Sequence, residues 1–204
     1  MPRPRSLTPD RIAEAALAVI DADGLAALSM KAVAARLGMG TMSLYRYVAD
    51  RAELEELVVE RVLADVSTGD AEGTWRERVM TLAERVRAAV GRHPNALPLI
   101  AAHRDGSPSL ARWTEAVLVV LTGAGFAGRE RVVALRALVA HLLGAVELEH
   151  RGPLGGRSTR RMTELAAFPL LAETARDALA LPPDEEFRRG LDLLLDGLEG
   201  ASRR

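Results

Sequence analysis

Residues 29–51, SMKAVAARLGMGTMSLYRYVADR, hold two short apolar-periodic segments on either side of a glycine turn at residues 38–40. This spacing predicts helix, turn, helix, and it limits the fold more than any other stretch of the chain. In the first segment Val33, Ala34 and Leu37 recur at helical period behind Ser29, a suitable N-cap, and Gly38 supplies the left-handed conformation that ends a helix. In the second, Thr41 is read as the cap of a helix whose Leu44 and Val48, four residues apart, point inward. Met42, Tyr45 and Arg46 then share the opposite face, and a DNA major groove admits a helix carrying such a face. Arginine there donates two bonds to guanine, while threonine, serine and tyrosine hydroxyls and the helix N-terminus reach phosphates. Taken alone, the same residues also describe an ordinary helical hairpin with a solvated aromatic end.

The flanks weigh against the plain hairpin. Residues 10–23, DRIAEAALAVIDAD, place Ile12, Ala15, Ala16, Val19 and Ile20 on the apolar stripe of an amphipathic helix, with Thr8 and Pro9 as cap and first-turn proline and Gly24 as its end. A further helix begins at Asp50, with Leu54, Leu57, Val58, Arg61 and Val62 in register. Three helices therefore fit into the first fifty residues, joined to a longer fourth. Ahead of them Arg3 and Arg5 form a short basic arm, read either as a minor-groove or phosphate contact or as a plain tail.

The chain resembles the tetracycline repressor family of transcription regulators in the helix of residues 8–23, in GLAALSMKAVAARLGMG and in TMSLYRYVADRAEL. The most specific element is leucine, tyrosine, any residue, an aromatic or histidine, then valine, with a basic residue three positions later, here Leu44 to Val48 and Arg51. The resemblance implies an all-α fold with a helix-turn-helix DNA-binding domain over residues 1–51 and a helical effector-binding and dimerisation domain over residues 52–204. By the same resemblance Thr41, Met42 and Ser43 open the recognition helix, Tyr45, Arg46 and Tyr47 face DNA, and Arg51 grips a phosphate. Ser29 and Lys31, the latter the chain's single lysine, would contact the neighbouring backbone.

A net charge of -1 is low for a protein that must displace counterions from phosphates. The distribution offsets it: Arg3, Arg5, Arg11, Lys31, Arg36, Arg46 and Arg51 stand against Asp10, Glu14, Asp21, Asp23 and Asp50 in the head, and a homodimer doubles that footprint. The chain has no cysteine, which removes thiol redox sensing and thiolate metal sites. No apolar run reaches the length of a membrane span and no apolar segment follows the charged N-terminus, so a cytoplasmic protein without a membrane partner is expected.

Beyond residue 74 the chain reads as further helices separated by breakers at His93 and Pro94, residues 106–108, residues 123–128, residues 152–156 and Pro182 with Pro183. Residues 75–92 put Val79, Leu82, Ala83, Val86, Ala89 and Val90 on one apolar side. Residues 123–128, GAGFAG, match a dinucleotide-loop pattern after the apolar run VLVVL, with Glu147 about twenty residues on, which keeps an NAD(P)-binding enzyme as an alternative. The helical spacing of Leu110, Trp113, Val117 and Leu121 through the supposed strand favours a turn between helices. A helical protein-interaction module is the remaining alternative.

Residues 130–149 carry Val132, Val133, Leu135, Leu138, Val139, Leu142, Leu143 and Val146, too apolar around the circumference for a helix with one free side. Residues 185–199 carry Phe187, Leu191, Leu194, Leu195 and Leu198 behind Asp184, read as an N-cap. The resemblance implies that these two helices pair with their copies in a four-helix bundle, matching a palindromic operator in double-stranded DNA. The alternative for both is an intramolecular core.

His93, His103, His141 and His150 show no metal-ligand spacing, so neither a metal nor another cofactor is expected. A small-molecule effector is expected in a pocket walled by Leu82, Val86, His103, Trp113, Val117 and His141. Leu82 and Val86 occupy positions where the resemblance would place polar drug contacts, which points to a largely apolar effector. No nucleophile and base stand together, so no catalytic residue is expected. The loop at residues 151–161, RGPLGGRSTRR, is read as mobile, either a gate to the pocket or a segment without a role.

Overall fold

The computed structural model describes residues 7–69, 71–103, 106–151 and 157–202. Arg3 and Arg5 lie outside the described residues, as does the middle of the loop read at residues 151–161. Among the described residues there are helices and turns and no strand. In chain order the helices are α1 (Pro9–Asp23), α2 (Met30–Arg36), α3 (Thr41–Leu44), α4 (Arg51–Ala64), α5 (Trp75–Gly91), α6 (Leu97–His103), α7 (Pro108–Gly123), α8 (Gly128–Arg151), α9 (Arg157–Met162), α10 (Pro169–Ala180) and α11 (Pro183–Ser202). They form two compact units, Met1–Thr68 with Ala88–Glu115, and Gly69–Arg87 with Ala116–Arg204.

In the first unit, α1 packs on α2 and α4, α2 on α3, and α4 on α6. Thr8 caps α1 by accepting the Arg11 amide at 3.3 Å, and Ser29 caps α2 by accepting the Ala32 amide at 3.2 Å. Ile12, Ile20, Leu28, Val33, Leu44, Val48, Leu54 and Val58 are essentially inaccessible and form the core. Each such side chain contributes on the order of 1.5–3 kcal/mol through burial.

The glycine that separates α2 from α3 works as the spacing predicts. Gly38 has φ +70°, its amide reaches the Ala35 carbonyl at 3.1 Å, and the Met39 amide reaches the Ala34 carbonyl at 3.0 Å. Those two bonds are a Schellman cap, which a residue with a Cβ adopts only with strain. The expected cap of α3 is corrected by one residue: Gly40 occupies the N-cap position and no side chain caps the helix.

In the second unit α8 packs on α11 and α10 on α9. Val79, Leu82 and Val86 of α5, Val117 and Leu121 of α7, Leu138, Leu142 and Val146 of α8, and Phe187, Leu191 and Leu195 of α11 are buried. Trp75 meets Phe126 edge-on, with ring centroids 5.7 Å apart. Arg76 reaches Asp192, Asp196 and Glu199 of α11 at 3.5, 2.7 and 3.4 Å. The assignment of Asp184 as N-cap is also corrected. α11 starts at Pro183, and Asp184 in its first turn accepts a 2.7 Å bond from Arg87 instead.

The GAGFAG segment joins α7 to α8. Gly125, at φ +94°, donates to the Thr122 carbonyl and Phe126 to the Leu121 carbonyl, both at 3.0 Å, which is a second Schellman cap. Phe126 is buried. The glycines end a helix here, whereas a dinucleotide loop follows a strand.

Candidate functional site

The face proposed from sequence is built on a segment that is anchored from below and bare above. Leu44 and Val48 are 0% and 1% exposed, whereas Met42, Tyr45 and Tyr47 are 79%, 45% and 47% exposed. Arg46 and Lys31 are also exposed, and Thr41 and Ser43 are intermediate. A soluble surface leaves so many large apolar and aromatic groups together chiefly where something binds.

The regular part of α3 is shorter than expected. Tyr45 and Val48 keep four-residue hydrogen bonds to Thr41 and Leu44, both at 3.2 Å, while Arg46 and Tyr47 bond three residues back to Ser43 and Leu44 at 3.4 and 2.9 Å. Tightening of this kind is common at helix ends, and here α4 begins four residues after Tyr47. Along this tighter stretch Tyr45, Arg46 and Tyr47 are all exposed.

Arg51 opens α4. Asp50 caps that helix by accepting the Glu53 amide at 2.9 Å, and Glu53 returns to accept the Ala49 amide at 2.6 Å. The guanidinium is half exposed and donates through Nε to Glu55 at 2.7 Å. Its place at a helix N-terminus favours an anion nearby. Ser29 is exposed but its hydroxyl is engaged as the cap of α2.

The six residues read as effector walls divide between the two units. His103 and Trp113 belong to the first unit, and Leu82, Val86, Val117 and His141 to the second. Trp113, Leu82, Val86 and Val117 are core residues. The His103 ring is bound to Glu55 at 2.9 Å.

His141 lines a cavity of about 720 Å³ in the second unit, bounded by α8, α10 and α11, with Gly144, Leu148, Leu179, Phe187 and Gly190 among its other walls. Its Nε2 is buried and holds no hydrogen bond among the described residues. Burial pushes the imidazole pKa down, opposed by a backbone hydrogen bond at Phe187, so the ring is neutral at pH 7.

The cavity wall is braced in ways the sequence did not disclose. Arg87 holds both oxygens of Glu149 at 3.0 Å, bonds Asp184, and lies 4.9 Å above the Phe187 ring. Gly190 admits the His141 ring closely, since a Cβ there would lie 2.9 Å from Cε1. These partners are 49 to 100 residues apart, beyond any periodicity signal, although an arginine on the apolar helix of residues 75–92 is a visible hint.

Residues 12–57 match the model of bacterial regulatory proteins of the tetR family, and residues 68–201 match that of the tetracyclin repressor-like C-terminal domain. The chain is 35% identical to the HTH-type transcriptional repressor DrrR1 of Streptomyces coeruleorubidus, over 97% of this chain and 79% of that protein. It is 29% identical to the class A tetracycline repressor protein from transposon 1721 of Escherichia coli, over 97% and 92% of the two chains. Among solved structures it resembles ActR of Streptomyces coelicolor in complex with actinorhodin, with TM-score 0.82, 28% identity, and 98% and 100% of the two chains covered.

Proposed function

The chain belongs to the tetR family of bacterial regulatory proteins, and on that premise we propose that it is a DNA-binding transcriptional repressor that a small, largely apolar effector releases from a palindromic operator. It is a regulator and not an enzyme. The observation that carries the DNA reading is the exposed row of Met42, Tyr45, Arg46 and Tyr47 over the buried pair Leu44 and Val48. In this reading Thr41, Met42, Ser43, Tyr45, Arg46 and Tyr47 enter the major groove, and Ser29, Lys31 and Arg51 hold phosphates. Residues 1–51 form the DNA-binding domain and residues 52–204 the effector-binding and dimerisation domain.

Two heads are needed to read two half-sites about 34–36 Å apart. The homodimer is assigned to α8 and α11, where Val133 and Leu193 are 57% and 73% exposed. ActR has been solved with actinorhodin bound, and the cavity beside His141 falls in the size range of small-molecule sites, about 300–1,000 Å³. His141 is the polar contact we assign to the effector there, with Leu148, Leu179 and Phe187 as apolar walls and Glu149 and Glu186 also on the lining. To turn a 99:1 population of the bound form into 1:99 an effector must favour the released form by about 5.5 kcal/mol. No helix among the described residues is long and apolar enough to cross a membrane, in keeping with a cytoplasmic site of action.

The test is enrichment of duplexes from a random-sequence library by the purified protein, followed by a salt series on the best sequence. A palindrome whose affinity falls with salt supports the proposal. Binding without sequence preference, or none, defeats it. A compound that saturates the protein and leaves operator affinity unchanged removes the effector part.

A further inference from the structure

Glu55, one turn into α4, has both carboxylate oxygens occupied. Oε1 accepts Arg51 Nε at 2.7 Å, and Oε2 pairs with His103 Nε2 at 2.9 Å. An exposed pair four residues apart on a helix is loosely held. This one differs because the Glu55 side chain is only 14% exposed and is pinned from α6, 48 residues further along the chain. A carboxylate only accepts, so His103 Nε2 carries the proton in this contact, whether the ring is neutral or charged. Arg51 spends Nε on Glu55, and its side chain remains half exposed.

We propose that Glu55 and His103 are positioning residues for Arg51, forming a relay in which the end of α6 sets the orientation of the phosphate-gripping guanidinium. The inference rests on the reading of Arg51 as a phosphate contact. A free arginine loses rotamer entropy when it docks on DNA, whereas one already held through Nε has given it up beforehand. Glu55 alone is a swinging acceptor; His103 stops it from following the guanidinium away from the helix. A movement that withdraws His103 therefore loosens Arg51 without touching the DNA face itself.

The experiment measures affinity and salt slope on the duplex that the protein enriches from a random-sequence library, for wild type, Arg51→Ala, His103→Ala, His103→Gln and the Arg51→Ala/His103→Ala double variant. His103→Ala is expected to weaken binding five- to tenfold in the wild-type background and less than twofold when Arg51 is already alanine. His103→Gln, which keeps an N–H at nearly the same reach, restores most of the loss. If His103→Ala costs the same in both backgrounds, or nothing in either, while Arg51→Ala still lowers the salt slope by about one, the relay is overturned and the phosphate reading stands. If Arg51→Ala leaves affinity and slope unchanged, the phosphate reading falls and the relay with it. His103→Leu provides the same comparison should thermal unfolding show the alanine variant misfolded.

Discussion

Glu60 of α4 receives Ser109 of α7 twice, from the hydroxyl at 2.5 Å and from the backbone amide at 3.1 Å. The Ser107 hydroxyl adds a third bond at 2.6 Å, and the Arg112 guanidinium lies 3.7 Å away. One carboxylate thus satisfies the Ser109 amide at the start of α7 from a helix that is distant in sequence, while the Leu110 amide donates to the Ser107 hydroxyl at 3.2 Å. Together with Glu55 and His103 it ties α4 to the connection between α6 and α7.

Partial burial raises the Glu60 pKa, and the bonds from Ser107 and Ser109 with the charge of Arg112 outweigh it, so the net direction is down. A carboxyl with a depressed folded pKa contributes stability that is present above its unfolded value and is lost as pH falls through the folded one. Glu60→Ala is expected to lower unfolding free energy at pH 7 by about 1–3 kcal/mol. Below the ordinary glutamate range the difference from wild type shrinks. Urea unfolding at several pH values checks this, and a gap that persists in acid contradicts it.

Arg46→Ala is expected to cost about 1–3 kcal/mol on the best operator and to relax preference at one base pair. Arg51→Ala should weaken all sequences alike and reduce the salt slope by about one. Competition binding against single-base operator variants separates the two; equal losses on every sequence would place Arg46 with the phosphate contacts.

Gly190→Ala places a Cβ 2.9 Å from His141 Cε1. Forced repacking of this kind costs about 1–3 kcal/mol, set against about 0.5–1 kcal/mol that alanine gains over glycine within a helix. The single variant is therefore expected to be destabilised, and the same change in a His141→Ala background to be neutral or stabilising. Denaturation of the four proteins in that cycle measures the coupling. Additive effects would mean that the ring does not hold its place against α11.

Leu193 is 73% exposed on α11, on the face assigned to the second copy. Leu193→Glu is expected to raise the dimer dissociation constant at least tenfold, about 1.4 kcal/mol, with a parallel loss of operator affinity. Sedimentation at a range of concentrations tests this, and an unchanged dimer moves the interface elsewhere.

The three-helix head was legible from local signals because each of them acts within a turn or two of chain. Thr8, Ser29 and Asp50 cap the helices that follow them, and Gly38 takes the left-handed conformation. The stripe from Ile12 to Ile20 is buried as its period requires. Of the two caps that the structure moves, one differs for a local reason and one for a distant reason. Gly40 stands one residue before Thr41 at the cap of α3, and an arginine 97 residues earlier claims the carboxylate of Asp184.

What the sequence determined by itself was therefore helix position, the buried and bare sides of residues 41–48, and the family. These follow from backbone capping and from hydrophobic period, both short-range. Tertiary structure alone decided that α3 tightens before α4, that His141 and not Leu82 or Val117 lines the cavity, and that His103 holds Glu55. Those outcomes depend on which side chains meet across tens of residues. A single sequence carries no distance between such positions, and only the packing of helix on helix supplies it.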